Sequence, residues 1–154
     1  MHESGGMSTI VRVVTRWLFG LILVYGVAVA VFGHLSPGGG FAGGVVVACA
    51  FVLATLAFGS RGPAGAIGRV ASSLDAVGAL SFLALAMLGY LAGHFFQQWI
   101  ARGDLFTLQS TPFIVLCNLA ILLKVGAGLF AGFIAIAVFG RALREAEEGK
   151  EASR

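Results

Sequence analysis

Four blocks of apolar residues, each about as long as a bilayer is thick, constrain this chain more than any other feature. They run over about residues 10–33, 41–58, 74–93 and 113–139. A helix needs ~20 apolar residues to cross a hydrocarbon core. The apolar residues come in continuous runs rather than narrow stripes, the pattern of segments solvated by lipid. Composition points the same way. The chain is 58% hydrophobic and 11% charged, against about 25% charged for a soluble domain, and its mean hydropathy is +0.96. The sequence predicts an all-α integral membrane protein, a single domain over residues 1–154 built as a bundle of four transmembrane helices. The polar tails, 1–9 and 141–154, are expected to fray.

The basic residues predict an orientation. With four spans, both tails and the loop 59–73 share one side. That side carries Arg12, Arg16, Arg61, Arg69, Arg141, Arg144, Lys150 and Arg154, whereas the other carries Arg102. Lysine and arginine accumulate in cytoplasmic loops, so both termini are expected in the cytoplasm. The net charge of +3 follows from this bias and implies no nucleic-acid partner. A competing reading takes Arg12, Arg16 and the following apolar run as a secretory signal cleaved after Ala28–Ala30. Signal cores are usually ~7–15 residues, and this run is longer, so a retained first helix is favoured. Cys49 and Cys117 stand alone in different spans. They lack the spacing of a metal site or disulfide framework and read as small apolar fillers. No cofactor site, metal site or nucleophile–base set is legible, which argues against an enzyme.

Small residues predict how the helices meet. Lys124, Gly128 and Gly132 recur every four residues in the fourth span, with Ala127, Ala131 and Ala135 on the adjacent stripe. Gly40, Gly44 and Ala48 do the same in the second span, and Ser81, Gly89 and Gly93 share a face in the third. Such stripes let helix backbones approach closely in lipid. They can hold this bundle together or dock other membrane subunits.

The connection after the first span reads "GHLSPGGGFAGG", residues 33–44. Residues 38–43 spell GxGxxG, but a dinucleotide fingerprint needs a preceding strand and an acidic residue about 20 positions on. A membrane span precedes the motif here, and Ala57, Phe58 and Gly59 stand at that offset. A tight turn at Pro37 accounts for one or two glycines and leaves His34, Gly43 and Gly44 unexplained.

The same stretch resembles the signature of the B subunit of multisubunit Mrp (Mnh) sodium/proton antiporters. In that family a first helix ends in Gly-His, then two variable residues, then Pro-Gly-Gly-Gly-Phe-x-Gly-Gly. Gly33, His34, Pro37, Gly38, Gly39, Gly40, Phe41, Gly43 and Gly44 match. The resemblance implies a multi-pass subunit of a prokaryotic cell membrane, without a redox centre of its own. It implies a hetero-oligomeric complex of Mrp-type subunits that exchanges Na+ for H+. Related subunits occur in the membrane arms of energy-converting hydrogenases and similar complexes. The chain departs from the antiporter pattern in its last helix, where Lys124 stands ahead of Val125 and Gly126 in place of an acidic residue.

Lys124 and His34 are the candidates for an ion or proton pathway. Lys124 lies 12 positions after Pro112 (124 − 112), ~18 Å along a helix and close to mid-bilayer. A charge at that depth faces protein or a watered path. A lysine there can relay protons or serve as the partner of a carboxylate on another subunit. Asp75 is expected at the cytoplasmic end of the third helix, too shallow to reach Lys124, where it neutralises Arg69 or favours the helix start. Histidine titrates near neutrality, so His34 can relay protons at the mouth of a path or brace the turn. His94, beside Phe95, Phe96 and Trp99, reads as an interfacial aromatic belt, and Asn118 as an interhelical hydrogen-bonding group.

Overall fold

A computed structural model describes residues 9–35, 37–59, 63–95 and 112–152, with the backbone alone for 63–69, 92 and 151–152. Four α-helices account for nearly all of them: α1 (Thr9–Val31), α2 (Gly40–Phe58), α3 (Pro63–Leu88) and α4 (Pro112–Ala152). A 3-10 turn, Gly89–Ala92, closes α3. All four helices are long and apolar enough to cross a membrane, and there is no strand among the described residues. Ser36, Arg61, Phe96, Trp99, Arg102 and Arg154 lie outside the described residues.

Two boundaries differ from the sequence expectation. The third helix starts at Pro63, not near residue 74. Proline suits a first helical position, where its missing N–H would have no partner in any case. The small residues that follow extend the helix before hydropathy rises. The fourth helix does not fray at 141 but continues to Ala152. Its last stretch, RALREAEEGKEA, is rich in strong helix formers. At ~1.5 Å per residue its 41 residues reach about 60 Å, twice a bilayer core. Residues 141–150 are exposed and form a polar extension beyond the apolar part.

The helices pack in the order α1, α2, α4, α3, with no contact between α1 and α3 among the described residues. In this row α2 and α4 run parallel, and α1 and α3 run antiparallel to their neighbours. One buried cluster lies toward the end where α3 begins. Phe130 is fully buried and clusters with Ala54 and Ala71, against Phe19, Phe51 and Phe133. The Phe19 and Phe51 rings meet edge to face at 5.4 Å, and Phe51 and Phe130 at 5.6 Å, distances at which aromatic pairs attract. Cys117 is buried within the chain and Cys49 lies on an exposed face.

Candidate functional site

The glycine signature is built into three backbone contacts. α1 ends at Val31, and the turn that follows is closed by hydrogen bonds from Phe32 N–H to Ala28 O and from Leu35 N–H to Phe32 O. Gly39 N–H then donates to Val29 O at 3.2 Å, tying the start of α2 to the end of α1. Gly39 has φ 117°, a conformation that a β-branched side chain rarely adopts. Gly33 packs directly on Gly39, so a Cβ on Gly33 would overlap the Gly39 Cα.

The first turns of α2 then present glycine in two directions at once. Gly43 faces α1, where an added Cβ would lie 2.5 Å from Gly26 O. Gly40 and Gly44 face α4. A Cβ on Gly40 would overlap the Asn118 carbonyl, and one on Gly44 would lie 2.8 Å from the Val125 Cβ. The surplus glycines of the loop are therefore a double helix crossing, with α2 wedged between α1 and α4. Pro37, Gly38 and Phe41 sit exposed at its edge. His34 is half-buried in the turn, with its Nδ1 atom shielded from solvent.

The second feature lies in the α3–α4 seam. Lys124 Nζ donates a hydrogen bond to Asp75 Oδ1 at 2.9 Å, a salt bridge between mid-helix residues. This overturns the expectation that Asp75 is too shallow to reach Lys124. Asp75 lies 12 residues after Pro63 (75 − 63), as Lys124 lies 12 after Pro112. Each residue therefore lies ~18 Å along its own helix, and the two antiparallel helices bring them level with each other. The partner of Lys124 is thus a carboxylate of the same chain.

Gly78, which the sequence reading did not single out, makes the approach possible. A Cβ at Gly78 would lie 2.6 Å from the Lys124 backbone nitrogen. Gly128 sits under the carboxylate, and a Cβ there would be 3.0 Å from Asp75 Oδ1. Asp75 and Gly78, three apart, could have been read as one helix face once Pro63 was taken as the start. Gly132, expected at a packed crossing, meets nothing within 4 Å. Gly89 is buried at the start of the 3-10 turn, and Gly93 ends that turn exposed with φ 120°. His94 is exposed beside the Tyr90–Phe95 ring contact.

A charge at the centre of a membrane helix costs ~2.5–3.5 kcal/mol on insertion scales. Pairing cancels the net charge here but leaves the pair open. The Lys124 and Asp75 side chains remain 49% and 35% exposed on the surface of the chain.

Four helices long and apolar enough to span a membrane, a double glycine crossing and an ion pair between two of the helices define a multi-pass membrane protein. The match to known families agrees: residues 10–131 fit the domain related to the MnhB subunit of Na+/H+ antiporters. The chain belongs to that family. An uncharacterized protein of Methanocaldococcus jannaschii is 35% identical over 71% of the chain and 44% of its own length. A Staphylococcus aureus (strain Newman) protein named "Putative antiporter subunit mnhB2" is 43% identical over 32% of the chain and 35% of its own length. The chain therefore spans less than half the length of these curated relatives. Among solved structures, a chain of the membrane-bound sulfane sulfur reductase, an archaeal respiratory membrane complex, superposes with a TM-score of 0.66. It is 29% identical, over 84% of this chain and 58% of that one.

Proposed function

We propose that this chain is a subunit of a multisubunit Mrp-type antiporter that exchanges a monovalent cation, Na+, for H+ across a prokaryotic cell membrane. It acts as a transporter subunit rather than an enzyme, and its partners are other Mrp-type membrane subunits, lipid and the translocated ions. Family membership supports the class of complex. The observation that carries a role in ion movement is the Asp75–Lys124 pair, half-open and placed within two helices apolar enough to cross a membrane. Charges inside membrane spans mark ion and proton pathways. Everted vesicles containing the assembled complex test the reading. Added Na+ should dissipate an imposed proton gradient, followed with a pH-sensitive dye. A gradient that is insensitive to Na+ and to other monovalent cations would refute it.

A second reading is favoured by the likeness to a chain of a respiratory complex and by lysine at Lys124 where the resembled pattern has an acid. In it the chain is a B-like structural subunit in the membrane arm of an energy-converting hydrogenase or related complex and carries no ion itself. Purification in mild detergent separates the two, because companions bearing redox centres would select the second.

Both readings use the orientation with cytoplasmic termini, which rests on the distribution of Lys and Arg. With Cys49 and Cys117 replaced by serine, a cysteine at Leu35 should react with an impermeant thiol reagent added to intact cells. One at Arg144 should react only after the membrane is opened. The reverse pattern would invert the topology.

A further inference from the structure

The Asp75–Lys124 pair lies within two helices apolar enough to cross a membrane yet stays half-open on the surface of this chain. An ammonium has three N–H donors, and a carboxylate accepts at both oxygens. Among the described residues their shared hydrogen bond is the one hydrogen bond that either group makes. The acyl chains that would otherwise cover this surface offer no hydrogen-bonding group, and polar groups left unsatisfied in hydrocarbon cost several kcal/mol each. On the same stripe of α4, one turn beyond Gly128, Gly132 is open, with no described atom within 4 Å of its Cβ position. A second helix can therefore approach the α4 backbone closely beside the pair.

We infer that the α3–α4 face around Asp75, Lys124 and Gly132 is an interface for a transmembrane helix of another subunit. That helix presents an uncharged hydrogen-bonding side chain, an amide or a hydroxyl, to the pair. The pair is already neutral as a unit, so a third full charge would be left uncompensated at this depth. The occupant supplies hydrogen bonds instead, and its backbone seats on Gly132. The inference rests on the multisubunit reading above, but it concerns assembly rather than transport. A complex that forms as described and moves no ion would leave it standing.

The test uses the complex in its native membrane. A Cβ at position 132 meets no described atom within 4 Å, so the Gly132→Trp subunit should accumulate at the wild-type level. Recovery of the companion subunit with it should fall about tenfold, the factor given by ~1.4 kcal/mol of lost binding. Recovery at the wild-type level would overturn the inference. A benzoylphenylalanine placed at Ile136, one turn further along and 75% exposed, gives an independent readout should Gly132→Trp fail to accumulate. Illumination should yield an adduct within a membrane segment of another subunit that carries an amide or hydroxyl side chain. No adduct to another subunit, an adduct to lipid alone or to a second copy of this chain, or a segment lacking such a side chain would overturn the inference.

Discussion

Lys124→Ala should destabilise the assembled complex and abolish or shift its transport. The cause lies within this chain. Removing Lys124 strands the Asp75 carboxylate, which its ammonium meets at 2.9 Å. Breaking a fully buried pair from one side costs about 3–5 kcal/mol, and this half-exposed pair should lose less than that. Asp75→Asn strands the ammonium and should cost a similar amount. The double substitution Asp75→Asn, Lys124→Met removes both charges. Replacing a buried pair with neutral groups of similar size is often neutral or stabilising, so the double variant should recover the yield of detergent-stable complex. Its transport then separates the two roles of the pair. A proton relay leaves the double variant assembled and inactive, whereas a purely structural pair leaves it assembled and active. Lys124→Arg is the companion measurement, because arginine keeps the charge but does not release its proton. A relay predicts that it assembles and fails to transport. Wild-type yield and transport by Lys124→Ala would eliminate both roles and leave the chain a scaffold.

Gly40→Val should prevent α2 and α4 from packing and remove the subunit from the complex. The added Cβ would overlap the Asn118 carbonyl and would lie 2.8 Å from the Ile121 Cβ. One of these atoms belongs to the backbone, so no change of side-chain rotamer relieves the overlap and the helices must move apart. Overpacking a well-packed core typically costs about 1–3 kcal/mol, and a backbone clash stands at the upper end or beyond. Gly43→Val should be as damaging from the other side of α2, because its Cβ would sit 2.5 Å from Gly26 O. Gly20→Ala on α1, where an added Cβ meets nothing within 4 Å, should instead gain up to ~1 kcal/mol of helix propensity. The comparison is read as yield and thermal stability of the complex in detergent. Equal stability of Gly40→Val and the wild type would show that the α2–α4 crossing is looser than described.

The sequence by itself determined the membrane class and the number of helices, because hydrocarbon demands long apolar segments whose backbone groups are satisfied internally. It also marked the glycine signature and the depth of Lys124, since both follow from counting along a helix. Hydropathy misplaced the start of α3, because it tracks the apolar onset, whereas helices start where the backbone allows. That difference of about three turns hid the reach of Asp75 to Lys124. Only the tertiary structure decided which faces meet. It placed α4 between α2 and α3, divided the signature glycines between α1 and α4, and left Gly132 open. It also joined Lys124 to Asp75 rather than to another subunit. In lipid, helix pairing depends on local shape and hydrogen bonding rather than on hiding apolar surface from water. A stripe of small residues marks where a backbone can come close. Which backbone does so is set by the fit of two helices, information that neither helix carries alone.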